Sequence, residues 1–218
     1  MNEKKENLKI TQELDKIFND KDSKNQFKKL IDLEKKYPND IAILQLISRN
    51  YLATGENTKA LDYLLKAKSL NPDNFSIYYN LGTLYQSFKK DDDAIECFKK
   101  SIDLNKDFLN GYNILGDIFF KKKKHKEAII YFKNSIKIDY SIRNINAISL
   151  LALSILGNYF ETKNLIELKD ALIYFKKAHE LDPSNDIFSN QLIYFYHLVG
   201  MKNEAVYLSK KRTGFFEI

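Results

Sequence analysis

The densest run of chemically capable side chains is Lys121, Lys122, Lys123, Lys124 and Lys126, with His125 among them. Clustered ammonium groups can neutralise the phosphates of nucleic acid or of an anionic membrane surface, releasing counterions as they bind. No aromatic residue interleaves within the run, so bases find no stacking platform there, and a solvated turn is the competing reading. His125, His179 and His197 show no helical i to i+4 pairing and do not compose a metal site. Cys97 stands beside Phe98 with no histidine placed to activate it, and it reads as a small apolar side chain rather than a nucleophile. The seven glycines lack the spacing of a phosphate-cradling loop, and the carboxylates follow a surface pattern. No catalytic residue, metal or cofactor is expected.

The elements that position these residues are helical. Only seven Gly and three Pro occur in 218 residues, too few for the turns of a many-stranded sheet, while 44% hydrophobic composition supplies a substantial core. Acidic residues, 29 of them, offset 35 basic ones, so the net charge of +6 implies no field of one sign. A single cysteine excludes an internal disulfide framework and suits a reducing compartment. The first residues, Met1 to Glu6, are charged and lead into no apolar core, and the most apolar stretch, residues 147–156, is about half a membrane span. A cytoplasmic location is the expectation.

A fixed period runs through the chain. Ala60, Ala94 and Ala128 are 34 residues apart, Ala171 follows after 43, and Ala205 after 34 again. Gly82 and Gly116, and Pro38 and Pro72, share the same 34-residue interval, and the pairs Pro72 with Pro183 and Gly55 with Gly200 fit it with one nine-residue insertion. Three residue types on one ruler identify a tandem repeat.

Within a period the apolar residues fall at helical spacing, with Tyr78, Leu81 and Tyr85 in one half and Ala94, Ile95, Phe98, Ile102 and Leu104 in the other. Two amphipathic helices result. Lys89 and Lys90 before Asp91, Asp92 and Asp93 match the dipoles of an ending and a starting helix. Gly82 and Ala94 let antiparallel backbones approach while larger side chains fill the flanks. A lone helix pair cannot bury its own apolar face, so stacking is obligatory.

These residues resemble the tetratricopeptide repeat. Tyr78, Leu81, Gly82, Tyr85, Ala94, Phe98 and Ser101 stand at its signature positions, as do Tyr112, Leu115, Gly116, Phe119, Ala128, Phe132 and Ser135. The resemblance implies an all-α, right-handed superhelical solenoid, divided into a degenerate helical cap at 1–40, repeats at 41–74, 75–108 and 109–142, a repeat with the nine-residue insertion at 143–185, and a terminal helix pair with an apolar tail at 186–218. In the inserted repeat, Leu150 takes the place where glycine is usual, the insertion is expected near Gly157 to Leu165, and the first helix is expected to be longer than normal. The tail Gly214-Phe215-Phe216-Glu217-Ile218 is expected to cover the last pair, with docking to a partner or a second copy as the competing reading.

The resemblance also implies a concave groove lined by the first helix of each pair. Its usual positions correspond here to Gln45, Arg49, Tyr79, Asn80, Thr83, Asn110, Asn113, Asp117 and Asn144, where asparagine can pair with a peptide backbone as donor and acceptor. Ordinary solvated amides are the competing reading. The carboxylate clamp of chaperone-binding members is broken, because Gln45, Arg49, Asn110 and Ile114 replace its basic and amide residues. Docking to chaperone C-termini is therefore not expected. The expected function is a non-catalytic scaffold or adaptor for a protein or peptide partner, compatible with homo-oligomers. The alternatives are a solenoid tethered to nucleic acid or membrane through Lys121 to Lys126, and a regulatory module of a separate enzyme.

Overall fold

Proline and a short polar residue decide where the principal helices begin. Pro38, Pro72 and Pro183 each stand two residues before an Asp or Asn whose side chain accepts a hydrogen bond from the next helix: Asp40 from Ile43 N at 2.9 Å, Asn74 from Ser76 N at 3.0 Å and Asn185 from Ile187 N at 2.9 Å. Proline cannot continue the preceding helix, and the cap satisfies one of the unpaired N–H groups of the following one, worth about 1 kcal/mol.

The computed structural model describes residues 2–213, with side chains for residue 6 and residues 8–212. Among these residues are twelve α-helices, one 3-10 turn and no strand. The apolar tail, residues 214–218, lies outside them. Contacts divide the chain into two units, Met1–Lys106 and Asp107–Ile218. The first holds α1 (Asn2–Phe18), α2 (Ser23–Lys36), α3 (Ile41–Ala53), α4 (Asn57–Leu70), α5 (Phe75–Ser87) and α6 (Asp91–Leu104). The second holds α7 (Leu109–Lys121), α8 (His125–Ile138), the 3-10 turn Ile142–Asn144, α9 (Ile145–Thr162), α10 (Leu165–Leu181), α11 (Asp186–Leu198) and α12 (Lys202–Thr213).

Four of the hairpins close through their backbone in the same way. Gly55, Lys89, Lys123 and Gly200 take left-handed conformations, with φ of 80°, 58°, 57° and 79°. The residue after each donates its N–H back to the first helix: Glu56 to the Tyr51 carbonyl, Lys90 to Tyr85, Lys124 to Phe119 and Met201 to Tyr196, at 2.8 to 2.9 Å. This is the Schellman closure, in which one left-handed residue lets the chain turn while satisfying the last carbonyls. Three of the five left-handed residues are lysines, so here the turn geometry is imposed by the packed helices rather than by glycine.

The ruler alanines lie in the core. Ala60, Ala94, Ala128, Ala171 and Ala205 are all 0% exposed. Gly82 and Gly116 have a related role: a Cβ built on them would stand 2.6 Å from the ring of Phe98 and of Phe132 respectively. Each phenylalanine lies directly on the backbone of its partner helix, closer than any side chain there would permit. In the first unit, Ile10, Ile17, Leu30, Leu33, Ile43 and Ile47 join α1 and α2 to α3, and Leu44, Leu64, Ala67, Ile77, Leu81 and Leu84 continue the core through α3, α4 and α5. In the second, Ile148, Ala178 and Phe188 link α9, α10 and α11.

The fifth pair, α9 and α10, departs from the expected alignment. The 3-10 turn, opened by Ser141 Oγ accepting from Arg143 N at 3.3 Å, precedes α9 and delays its start. Counted from the helix start, the place of Gly82 and Gly116 falls to Ala152, which is 0% exposed, rather than to the half-buried Leu150. The added length lies in the helices: the first is longer, as expected, with 18 residues in α9 against 13 in α7, and α10 has 17 against 14 in α8. Their hairpin closes on Lys163, whose N–H reaches the Tyr159 carbonyl at 2.7 Å, a simpler left-handed cap than the others.

Replacing Gly82 with Ala drives a methyl group into the Phe98 ring, and urea unfolding is expected to register a loss of about 1 to 3 kcal/mol. Combining it with Phe98→Leu should cost less than the two changes summed, because the smaller side chain yields the space.

Candidate binding surface

In the first unit, α3 and α5 pack side by side as the first helices of their pairs. Gln45 Nε2 donates to Ser76 Oγ at 2.8 Å and ties them together. Arg49 projects from α3 and is exposed, whereas Tyr79, Asn80 and Thr83 are half-buried on α5. The Tyr79 ring leans on Phe98, with centroids 5.6 Å apart, and Thr83 Oγ1 donates to the Tyr79 carbonyl at 3.1 Å. Tyr79 therefore has a fixed ring, and Thr83 is occupied by its own helix.

The same tie recurs in the second unit. Asn113, at the register position of Gln45, donates through Nδ2 to Asn144 Oδ1 at 2.9 Å; Asn144 matches Ser76 in the 34-residue period but lies in the 3-10 turn that leads into α9. Asn144 is 3% exposed, and its Nδ2 donates to Ser135 Oγ at 2.8 Å and to the Asp139 carbonyl at 2.9 Å. Ser135 Oγ, itself 0% exposed, donates to Asn113 Oδ1. Each amide is engaged at both ends. Asn113 and Asn144 therefore order the wall instead of reaching toward a guest.

Asn144 belongs to the 3-10 turn, so the second position of α9, equivalent to Asn110 in α7, is Asn146. Both Asn110 and Asn146 are exposed. The sequence reading missed Asn146 because the alanine spacing shows the nine-residue insertion only as a whole and does not separate the two residues that precede α9. The polar group Asp139 to Asn144 was its one visible sign. Asp117 is half-buried and accepts from Lys121 Nζ at 2.6 Å, one helical turn away.

The lysine run forms the turn between α7 and α8. Lys122 closes α7, Lys123 takes the left-handed conformation, and Lys124 precedes α8 without a side-chain cap. Lys121 to Lys124 and Lys126 are exposed. His125 is not part of that solvated face. Its side chain is 16% exposed, packs edge-on to Phe120 with centroids 6.1 Å apart, and covers Gly157, where an added Cβ would come within 2.5 Å of the ring. Its Nε2 lies 4.0 Å from Glu161 Oε1, and its Nδ1 is buried without a hydrogen bond among the described residues.

Reactive groups elsewhere are subdued. Burial pushes the Cys97 thiol up to about 11, so it stays protonated at neutral pH and is a poor nucleophile. His179, whose Nδ1 lies 3.2 Å from Ser189 Oγ, is held below its ordinary value by burial and by Lys211, against the opposing pull of Glu180. Among the described residues no group of three or more His, Cys, Asp or Glu could hold a metal ion, and no helix is long and apolar enough to cross a membrane.

Helix hairpins built on a repeated small-residue contact, with their first helices tied side by side by amides, define an α-helical repeat protein. Comparison with protein families supplies the kind. Residues 75–108 and 109–141 match two models described as tetratricopeptide repeat, and residues 49–87 match a third, described as TPR repeat. The chain is a tetratricopeptide repeat protein through these segments. No curated protein matches it in sequence. Among solved structures, MamA from Desulfovibrio magneticus RS-1 is similar at 19% identity and TM-score 0.65, covering 80% of this chain and 93% of that one. YrrB, described as a TPR protein with an unusual peptide-binding site, is similar at 17% identity and TM-score 0.67, over 84% of this chain and 90% of that one. Yeast Tom70 is similar at 17% identity and TM-score 0.63, over 96% of this chain and 44% of the longer protein. These likenesses establish the all-α repeat fold.

Asn144→Ala leaves Ser135 and the Asp139 carbonyl without their partner, and chemical denaturation is expected to show a loss of about 1 to 3 kcal/mol. His179 contributes a pH dependence of definite sign. Its folded pKa lies below the ordinary value of 6.5, so the unfolded chain takes up the proton first as pH falls. The contribution is complete above the unfolded value and is lost as pH drops through the folded one. Melting temperatures at pH 7.5 and pH 5 are expected to differ less in His179→Gln than in the unaltered chain.

Proposed function

We propose that the chain is a non-catalytic scaffold that holds a peptide or helical segment of another protein against the first helices of its pairs. The repeat fold supports a protein-interaction role in general, and the finer assignment rests on the surface chemistry of α3 and α5. Arg49 offers a fixed positive charge with five donors, Tyr79 an immobilised aromatic ring, and Asn80 a donor and an acceptor. The observation that carries the reading is the Gln45 to Ser76 hydrogen bond, 2.8 Å, which fixes the two helices that present these groups. A pre-ordered wall loses little freedom when a guest settles on it.

In the second unit the surface reduces to Asn110, Asn146 and Asp117, since Asn113 and Asn144 serve the interior. Asp117 paired with Lys121 sets a local dipole and no net charge. The lysine turn is left as a solvated connection, because the pairing of Lys121 and the inward packing of His125 break the run into separate roles.

A partner recovered from the native cell is expected to bind Tyr79→Ala combined with Asn80→Ala at least about 10-fold more weakly, measured by calorimetry, with the helical spectrum unchanged. Undiminished affinity would place the partner elsewhere on the molecule.

A further inference from the structure

Two residues after each buried alanine, the second helix of a pair turns a side chain toward solvent. In the first unit these side chains are Asp62 and Glu96, both exposed. In the second they are Ile130, Ile173 and Tyr207, exposed to 58%, 58% and 59%. One exposed apolar residue is ordinary. The same register position turning apolar on α8, α10 and α12, where α4 and α6 carry carboxylates, makes a stripe.

The stripe borders a groove. Between α8 and α10 lies a concavity of about 430 Å³ lined by Lys133, Ile136, Lys137, Tyr140, Ile173 and Tyr174. Tyr140 is 44% exposed within it, and Lys177 Nζ lies 5.7 Å from the Tyr140 ring centroid. Two lysines and no carboxylate are found among the described residues that line it. The adjoining cavity between α10 and α12, about 550 Å³, has Glu180 and Glu204 beside Lys176 and Lys211 and is close to balanced. Lys133, Lys137 and Lys177 thus outnumber Glu180 and Asp170, which act on Tyr140 and Tyr174, at the α8 and α10 groove beside Ile130 and Ile173.

We infer that the groove between α8 and α10 is a second docking site, on the second helices rather than the first, for an acidic amphipathic peptide segment. Its apolar side chains cover Ile130, Ile173 and Tyr140, and its carboxylates face Lys133 and Lys137. The apolar contacts supply affinity, and the lysines select sign and register.

The test uses the full chain and a labelled synthetic peptide of about 16 residues, with Leu and Phe at i, i+3, i+4 and i+7 and Glu elsewhere, beside a control with Lys in place of Glu. Fluorescence anisotropy is expected to favour the Glu peptide by about 10-fold or more. Ile130→Glu with Ile173→Glu should weaken its binding at least about 10-fold, and Lys133→Gln with Lys137→Gln about 3- to 10-fold at low salt. Should the glutamate pair fail to fold by circular dichroism, Ile130→Ser with Ile173→Ser replaces it. Tyr79→Ala with Asn80→Ala is expected to leave this binding untouched, which separates it from the surface on α3 and α5. Equal binding of both peptides, or indifference to the isoleucine changes, overturns the inference. So does sedimentation showing that Ile130 and Ile173 join two copies of the chain, or adhesion to phosphatidylserine vesicles through these residues without peptide binding.

Discussion

The architecture depends on a phenylalanine lying against bare backbone. Phe98 on Gly82 and Phe132 on Gly116 set how closely the two helices of a pair approach, and the fully buried alanines at the start of each second helix keep that spacing. Dispersion falls steeply with separation, so a contact this close fixes the pair as one rigid piece. Once the pair is rigid, the residues facing neighbouring pairs are fixed as well. The amide ties between first helices and the apolar stripe on the second helices are both downstream of that one contact.

Much of this was legible in the chain. The 34-residue ruler placed the buried alanines and both glycines of the close contacts, and the prolines marked helix ends because their ring excludes continuation. The structure adds the caps two residues after each proline, where Asp40, Asn74 and Asn185 hold the next helix start. What differed was local. The period gave the nine-residue insertion as a sum, and the structure spreads it through the 3-10 turn, the end of α9 and the start of α10. Ser141 opening a 3-10 turn moved α9 by two residues, which exchanged Leu150 for Ala152 at the close approach and Asn144 for Asn146 on the surface.

The surface was less legible than the fold for a physical reason. An asparagine is equally suited to greet a peptide or to finish an internal hydrogen-bond network, and only the neighbours decide. Asn113 and Asn144 found each other and Ser135, whereas Asn110 and Asn146 face water. His125 repeats the lesson within a basic run: five lysines extend outward, and the histidine between them fits over a glycine.

The unequal length of α9 has a consequence for how identical-looking modules find their proper neighbours. An array of interchangeable hairpins invites assembly out of order, since any pair can stack on any other. Here Gly157, thirteenth in α9, receives the ring of His125 that opens α8, and the extra turn beyond it brings Glu161 Oε1 to 4.0 Å from that ring's Nε2. The helices α4 and α6 begin with Asn57 and Asp91 instead. Only α8 carries that key, so a mispaired stack leaves the notch at Gly157 empty and the imidazole stranded. The irregular member thereby gives the second unit a sense of order that its periodicity alone would lack.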